Sequence, residues 1–279
     1  MKALEVIKYG SNLLKENEIS SHILDSEILL SKILNISREE ILVNLEKKIN
    51  KKSILAFKRF LYRRSKNEPI AYILNEKEFW SKKFDVNKDT LIPRPETELL
   101  VDQVIKLNNG KKISILDIGT GSGCIIISLL SCLKNSTGIG VDISKNAIMV
   151  AKKNALKHKL SNRVKFFSKS FMNIFSKKFD VIVSNPPYIE KKDIKNLTDD
   201  IKRYEPRMAL DGGNDGLDLI RKVIYKSKNI LKTKGTLALE IGNEQIKKVS
   251  KILIDNNFRV KQVTKDYKNN VRCLIAYYN

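Results

Sequence analysis

Hydrophobic and polar positions divide the chain into a helical stretch and a longer stretch of alternating strands and helices. In the first stretch apolar side chains recur at helical spacing, as at Ile7 and Leu14. Ser37, with Glu40 three residues later, forms a capping box that predicts the start of another helix. Since no long β-branched alternation occurs here, the pattern predicts a small helical bundle over residues 1–75.

Between the two stretches the pattern is typical of a hairpin followed by a proline-rich segment. Phe79-Trp80 and Phe84-Asp85-Val86 are short strand-like pieces around the polar Ser81-Lys82-Lys83. The segment Leu91–Pro95 contains two prolines and cannot continue a helix, although Pro95 can open one. We therefore expect a β-hairpin and proline-rich linker at residues 76–95.

From residue 113 onward, buried strands alternate with helices. Each of the first two predicted strands ends in an aspartate, Asp117 and Asp142, and Ser144 is a predicted helix cap. The predicted strands are Ile113–Leu116, Thr137–Val141, Val164–Phe167, Val181–Ser184, Thr236–Leu239, Arg259–Val263 and Arg272–Tyr277. The pattern predicts an α/β domain over residues 96–279, with a mostly parallel sheet, helices on both faces and a closing antiparallel hairpin.

The high positive charge of the chain allows two interpretations. The 279 residues carry a formal net charge of +22, which suggests nucleic acid or a partner associated with it. However, residues 1–75 hold 14 basic and 9 acidic residues, and the remainder holds 39 and 22. Because the excess is spread along the chain, the abundant Lys, Ile and Asn, as in proteins encoded by AT-rich genomes, explain it better than a nucleic-acid target, which stays the alternative.

Several classes of protein are excluded by composition. The longest apolar run, Cys124–Leu130, is far shorter than the ~20 residues of a membrane helix, and the first ten residues lack a signal peptide's apolar core. Three cysteines without C-x-x-C spacing and two histidines speak against a disulfide scaffold and against a metal site. We expect a cytoplasmic protein that needs no metal.

The first strand leads into a glycine-rich loop, Asp117-Ile118-Gly119-Thr120-Gly121-Ser122-Gly123. Glycines let the backbone lie against a ligand, and the following helix offers free N–H groups. No Gly-Lys-Ser/Thr follows, which speaks against a phosphate loop, and Cys124 stands where a dinucleotide motif needs Gly or Ala. The loop resembles the first motif of class I S-adenosylmethionine-dependent methyltransferases.

Asp142 ends the next strand, 19 residues after Gly123. A carboxylate at that position can accept hydrogen bonds from both ribose hydroxyls of an adenosine ligand. The alternative is a simple acid or cap near a helix N-terminus, but the position at a strand end, right after the helix of the glycine loop, favours a ligand contact. Asp142 does not separate a nicotinamide cofactor from S-adenosylmethionine.

The fourth strand leads into Asn185-Pro186-Pro187-Tyr188. Two prolines hold this loop out of helix and sheet and leave carbonyl groups without ladder partners. An Asn side-chain oxygen beside a free carbonyl makes two acceptors, which suit a planar NH2 group, and Tyr188 adds an aromatic face. The combination resembles the acceptor loop of methyltransferases that alkylate amide or exocyclic amine nitrogens.

Further motifs extend the resemblance over residues 20–279. In chain order they are Glu78-Phe79-Trp80, Leu91–Glu98, the glycine loop, Ser184–Ile189, Tyr204-Glu205-Pro206 and Leu210–Gly216. Together they resemble the peptide chain release factor glutamine methyltransferases, the HemK/PrmC family.

This resemblance implies a seven-stranded class I methyltransferase (Rossmann-like) domain preceded by a helical substrate-recognition domain and a hairpin linker. It implies transfer of a methyl group from S-adenosylmethionine to the side-chain amide of the Gln in the Gly-Gly-Gln motif of class I release factors. We expect a monomer for which direct nucleic-acid binding is permitted by charge but not required.

The resemblance also assigns site residues by motif. The residues expected to hold S-adenosylmethionine are Gly119, Thr120, Gly121, Ser122, Gly123, Asp142, Ser170 and Asn185. The substrate glutamine is expected at Asn185, Pro186, Pro187 and Tyr188, with catalysis assigned to Asn185, Pro186 and Tyr188. Where the family has an acid and then a hydrophobic residue near the adenine, this chain has Lys169 and Ser170, so we expect weaker cofactor contact there.

Two other functions are compatible with parts of the pattern. A DNA or RNA exocyclic-amine methyltransferase shares the N-P-P-Y loop, but such enzymes usually carry a larger target-recognition region. A non-enzymatic RNA- or ribosome-binding protein on a degenerate fold would not need the intact Asn185 and glycine loop.

Overall fold

The structure is a computed structural model that describes residues 1–174 and 178–279. Its helices are α1 Ala3–Glu16, α2 His22–Leu34, α3 Arg38–Val43, α4 Lys51–Ser65, α5 Ile70–Leu74, α6 Thr97–Asn108, α7 Cys124–Cys132, α8 Lys145–Lys157, α9 Asp199–Tyr204, α10 Asp218–Ile230 and α11 Ile246–Asp255. Its strands are β1 Glu76–Phe79, β2 Lys82–Asp85, β3 Ser114–Ile118, β4 Thr137–Asp142, β5 Val164–Ser168, β6 Phe179–Ser184, β7 Leu231–Glu240, β8 Phe258–Lys265 and β9 Val271–Tyr278.

The first compact unit is helical and comprises Met1–Asn75 together with Thr198–Tyr204. Its core is built from the apolar faces of α1, α2 and α4, where Leu14, Leu29 and Phe57 are fully buried. The predicted capping box is confirmed, since the Ser37 hydroxyl accepts from the Glu40 N–H and the Glu40 carboxylate accepts from the Ser37 N–H. Helix α9 joins this unit, which the sequence pattern did not predict.

The second unit, Glu76–Leu197 with Glu205–Asn279, contains the hairpin β1–β2 and a seven-stranded sheet. The sheet order is β5-β4-β3-β6-β7-β9-β8, in which the first five strands are parallel and β9 is antiparallel to both neighbours. The predicted mostly parallel sheet with a closing antiparallel hairpin is confirmed. One face of the sheet packs against α6, α7 and α8, and the other against α10 and α11.

The largest differences from the predicted element boundaries lie at the hairpin and at the start of β7. The hairpin turns at Trp80-Ser81, both at positive φ (52° and 53°), and Lys82 and Lys83 already belong to β2. Such a turn usually carries Asn-Gly, so Trp80-Ser81 did not indicate its position. Strand β7 begins at Leu231, five residues before the predicted Thr236, because its polar start does not alternate.

Strand register brings the predicted functional loops to one edge of the sheet. Ile118, the last residue of β3, pairs with Val141 of β4 and with Ser184 of β6. The segments that follow these three strands therefore leave the sheet side by side, at the point between β3 and β6 where the strand order reverses. In open α/β sheets this is where ligands bind.

Candidate functional site

A cavity of about 540 Å³ opens at the carboxyl ends of the parallel strands. Its volume lies within the range of small-molecule sites. All of the residues that line it belong to the second unit. The segments that contribute to its wall include the glycine loop, the start of α8, the Asn185-Pro186-Pro187-Tyr188 loop after β6 (the acceptor loop) and the segment around residues 206–211.

The glycine loop presents bare backbone to this cavity. Gly119 and Gly121 both line it, with φ of +72° and +52°. A Cβ on Gly119 would meet no atom within 4 Å, and one on Gly121 would meet only the Gly119 carbonyl oxygen at 4.0 Å. A side chain at either position would therefore strain the backbone and project into open space that a ligand could use.

Gly123 has a different role. Its φ is +80°, and a Cβ there would lie 3.0 Å from Ile127 Cδ1 and 3.3 Å from Ala151 Cβ. It lets α7 and α8 pack closely, and it does not line the cavity. Thr120 and Ser122 are also turned away from the cavity, because both are buried and the Thr120 hydroxyl donates to Asp117 Oδ2 at 2.6 Å.

Asp142 faces the glycine loop from the end of β4. Its Oδ2 accepts from the Gly121 N–H at 3.0 Å, and its Oδ1 accepts from the Ser144 N–H at 2.9 Å. These two bonds fix the carboxylate at the cavity wall. Each oxygen keeps acceptor capacity for a ligand hydroxyl.

A second aspartate lies beneath the loop. Asp117 at the end of β3 is fully buried, and burial raises the pKa of its carboxyl to about 7. Its bond to the Thr120 hydroxyl ties the loop to the strand. Asp117 therefore shapes the loop from below and does not line the cavity.

The segment expected to contact the adenine, Lys169 and Ser170, is arranged differently from the expectation. The Ser170 hydroxyl accepts from the Met172 N–H at 3.3 Å, capping a short 3₁₀ turn, and Ser170 does not line the cavity. Its neighbours Lys169 and Phe171 do. The aromatic face that Ser170 lacks is thus supplied by Phe171, a residue the sequence analysis did not select.

Asn185 and Pro186 both line the cavity, and each carries an acceptor oxygen. Asn185 Nδ2 donates to Thr97 Oγ1 at 3.1 Å, which turns the amide oxygen away from Thr97. In the described part of the chain no group donates a hydrogen bond to Asn185 Oδ1 or to the Pro186 carbonyl. Pro187 lines the cavity beside them.

Tyr188 does not provide the expected aromatic face. Its ring packs against the core on the α10 and α11 side, and it does not line the cavity. Its hydroxyl lies 3.4 Å from Glu240 Oε1, and burial, followed by the Glu240 charge, raises the Tyr188 pKa. The Gln245 side chain donates to the Tyr188 carbonyl at 3.0 Å, so Tyr188 anchors the end of the loop.

Three residues that the motif assignment did not select support the site. Thr97 and Glu240 meet behind Asn185, where the Thr97 hydroxyl donates to Glu240 Oε2 at 2.6 Å. Glu205 accepts from the Arg94 guanidinium at 2.6 Å and from the Ile92 N–H at 3.2 Å, which fixes the proline-rich segment next to the cavity. Of these three, only Glu240 could have been selected from the sequence, because it is an acid that directly follows a predicted strand.

The family comparisons agree on both parts of the chain. Residues 5–74 match the PrmC N-terminal domain, and residues 95–271 match the methyltransferase small domain. The release factor glutamine methyltransferase of Clostridium acetobutylicum is 39% identical over 282 residues, covering 99% of this chain and 98% of that protein. The protein of the same name from Buchnera aphidicola is 44% identical over 248 residues, covering 89% and 90%.

Other relatives and structures resemble the chain more partially. A bifunctional methyltransferase of Rickettsia felis is 38% identical over 300 residues, and the chain spans 57% of its length. A Pyrococcus furiosus methyltransferase structure aligns with a TM-score of 0.55 at 18% identity, over 79% of this chain and 96% of that one. An M. jannaschii tRNA m1G37 methyltransferase structure aligns with a TM-score of 0.53 at 16% identity, over 73% of this chain and 56% of that one. At these identities the structures show a shared fold alone.

The sheet order, the glycine loop and the matched domain define a class I methyltransferase with a Rossmann-like fold, for which S-adenosylmethionine is the methyl donor. Within this class, the chain belongs to the family of release factor glutamine methyltransferases. None of the helices in the described part of the chain combines the length and apolar character needed to span a bilayer.

Proposed function

We propose that the protein transfers a methyl group from S-adenosylmethionine to the side-chain amide nitrogen of the Gln in the Gly-Gly-Gln motif of class I peptide chain release factors. The observation that carries this proposal is that Asn185 and Pro186, each with an acceptor oxygen, line the same cavity as the glycine loop, while Asn185 Nδ2 is bound to Thr97. Relatives named release factor glutamine methyltransferase, at 38–44% identity, support the choice of substrate.

The residues present fit the methyl donor. The bare backbone of Gly119 and Gly121 leaves room that a Cβ would fill, Asp142 offers a carboxylate for ribose hydroxyls, and Phe171 offers an apolar face. When bound, S-adenosylmethionine supplies an electrophilic methyl group on a positively charged sulfur whose thioether is a good leaving group.

The acceptor loop would act on the other reactant. An amide nitrogen is a poor nucleophile because its lone pair is delocalised into the carbonyl. Hydrogen bonds from both N–H groups to Asn185 Oδ1 and the Pro186 carbonyl would hold the nitrogen in place and favour localisation of the pair. Positive charge grows on that nitrogen in the transition state, where two acceptors stabilise it most.

Proton loss needs no strong base in this scheme. The N–C bond forms as the S–C bond breaks, and the nitrogen then carries an extra, acidic proton. That proton passes to water once the methyl group is attached. Positioning of the two reactants in line accounts for much of the remaining acceleration.

The helical unit would provide the second contact that specificity requires. A glutamine side chain is a small ligand, and glutamines occur in most proteins, so the cavity alone discriminates little. We propose that residues 1–75 contact the folded release factor away from the reacting amide, and that the chain acts as a monomer. Since release factors work on cytoplasmic ribosomes, this places its action in the cytoplasm.

A labelling experiment tests this function. The protein is incubated with methyl-labelled S-adenosylmethionine and, separately, a class I release factor, its Gly-Gly-Gln variant with Gln→Ala, tRNA and DNA. We expect label only on the unaltered release factor. Label on nucleic acid, or on the Gln→Ala variant, would contradict the proposal and favour an exocyclic-amine or other target.

A further inference from the structure

Behind the acceptor loop, three side chains from distant parts of the chain form a hydrogen-bonded series. Glu240 at the end of β7 accepts from the Thr97 hydroxyl at 2.6 Å, and Thr97 Oγ1 accepts from Asn185 Nδ2 at 3.1 Å. Thr97 and Glu240 are each 2% exposed. Neither Thr97 nor Glu240 lines the cavity, and Asn185 is the member of the series that does.

The direction of this series decides which end of the Asn185 amide faces the cavity. A hydroxyl has a single proton, and an ionised carboxylate can only accept. While Glu240 is ionised, the Thr97 proton points to it, and Thr97 offers only a lone pair to Asn185. The amide must then present its NH2 group to Thr97, and its oxygen is left for the substrate.

A neutral Glu240 would remove this constraint. Its own O–H could donate to Thr97, and the Thr97 proton could then turn to Asn185. The Asn185 amide could rotate by half a turn and present NH2 to the cavity. Two NH2 groups, that of Asn185 and that of the substrate, would then face one another as donors without an acceptor.

We propose that Glu240, acting through Thr97, fixes the orientation of the Asn185 amide, and that both are positioning residues for methyl transfer. The inference rests on the proposed function, in which Asn185 Oδ1 receives an N–H from the acceptor. It extends the site beyond the N-P-P-Y loop to the start of α6 and the end of β7.

The surroundings of Glu240 place its titration in an accessible range. Arg272 of β9 favours the ionised form of Glu240, and Glu96, just before α6, opposes it. The Tyr188 hydroxyl of the acceptor loop faces Glu240, and the buried Cys273 of β9 pairs with it in strand register. Burial outweighs the favourable contacts and raises the Glu240 pKa to about 7. Since the ionised form is the one that orients Asn185, methyl transfer should fall as the pH drops below about 7.

Three full-length variants test the proposal with the release factor as substrate. Thr97→Val keeps the shape but removes the hydroxyl, and we expect kcat to fall about tenfold or more, the effect of one lost hydrogen bond in a buried site. Thr97→Ser keeps the hydroxyl and should stay within about threefold of the parent. Glu240→Gln carries an NH2 donor, as the neutral acid carries an O–H, so kcat at pH 8 should already be reduced and should show no further decline below pH 7.

Calorimetric S-adenosylmethionine affinity and the thermal midpoint are measured for each variant. Unchanged affinity with reduced kcat is expected for a positioning role, whereas a parallel loss of affinity and of the midpoint in Thr97→Val and Thr97→Ser would indicate structure alone and overturn the proposal. A retained acidic decline in Glu240→Gln would also overturn it and point to another group, such as Asp117. Failure of the unaltered protein to label any release factor would instead refute the proposed function, before any variant is compared.

Discussion

At the scale of single residues, the Asn185 side chain is held by its hydrogen bond to Thr97, and Asn185 lines the cavity. Its amide oxygen stays available as an acceptor. Asp142 is similar, since two backbone N–H groups, of Gly121 and Ser144, fix its carboxylate before any ligand arrives. Groups that are held in position in advance spend less free energy on ordering when they bind or react. Each of these two residues therefore yields a distinct prediction, one for turnover and one for affinity.

Replacing Asn185 with Ala should lower kcat by about 10²–10³-fold, the usual cost of one lost transition-state hydrogen bond. S-adenosylmethionine should still bind, since the Gly119–Gly121 backbone and Asp142 are untouched. Single-turnover methylation and calorimetry check the two parts, with Asn196→Ala, an exposed position, as the control. Turnover close to that of the control would remove Asn185 from the reaction.

Replacing Asp142 with Ala should mainly weaken S-adenosylmethionine binding, by roughly tenfold or more. Charge-assisted hydrogen bonds are each worth about 1.5–3 kcal/mol, and the change also frees the Gly121 N–H. Asp142→Asn, which keeps one oxygen, should lose less. Calorimetry showing equal affinity for the parent and both variants would exclude Asp142 from the cofactor site.

At the scale of elements, the hairpin, α8 and the glycine loop are joined by one buried side chain. Asn154 of α8 accepts from the Asp85 N–H at 2.8 Å and donates to the carbonyls of Asp85 and Ser122 at 2.9 Å each. Lys153 and Lys157 add ion pairs to the Asp85 carboxylate. The hairpin thus contributes to the support of the glycine loop.

Replacing Asn154 with Ala should cost roughly 2–4 kcal/mol in the free energy of unfolding, because buried backbone groups of Asp85 and Ser122 lose their partners. S-adenosylmethionine affinity should fall as well, through the displaced loop. Chemical denaturation with and without the ligand measures both effects. The exposed helical Asn229→Ala is the matched control, and equal stability of the two variants would contradict this account.

The elements were largely predictable from the sequence, and the directions of the loop side chains were not. Period and capping rules predicted the helical bundle and the sheet, because burial on one face leaves a repeating pattern. They could not show that Tyr188 turns into the core or that Thr120 and Ser122 turn away from the cavity. The Tyr188 hydroxyl meets Glu240, 52 residues away, and the Asn185 amide meets Thr97, 88 residues away, so no local pattern encodes these contacts. The partner of Thr120, Asp117, is close in sequence, but the direction of a side chain in a loop leaves no repeating pattern.

At the scale of the whole molecule, the positive charge is spread along the chain, but on α4 it is not offset by acidic residues of the same helix. This helix contains no acidic residue, and it exposes Leu55 and Tyr62 among cations. Arg63 and Arg64 pair with Glu68 and Asp25, whereas within residues 1–174 and 178–279 no carboxylate forms an ion pair with Lys51, Lys52, Lys58, Arg59 or Lys66. Such a face suits an acidic partner surface, in keeping with the recognition role proposed for the helical unit.

Reversing two of these charges, with Lys58→Glu and Arg59→Glu together, should slow methylation of an intact release factor about tenfold at low salt, and less at high salt. A short Gly-Gly-Gln peptide, which cannot span a second contact, should be methylated at the parent rate. The control carries the same charge change on α11, at Lys247 and Lys248, which are exposed. An equal proportional loss on peptide and protein would contradict a recognition role for this face.

One half of the acceptor pair has a consequence for how the enzyme can change. The Asn185 oxygen belongs to a side chain, but its companion is the main-chain oxygen of Pro186. A point mutation can remove the Asn185 side-chain oxygen, but it cannot remove the main-chain oxygen at position 186, since every residue type carries that carbonyl. Point mutations in this loop that leave the backbone in place should therefore lower the activity without abolishing it, because the main-chain acceptor remains.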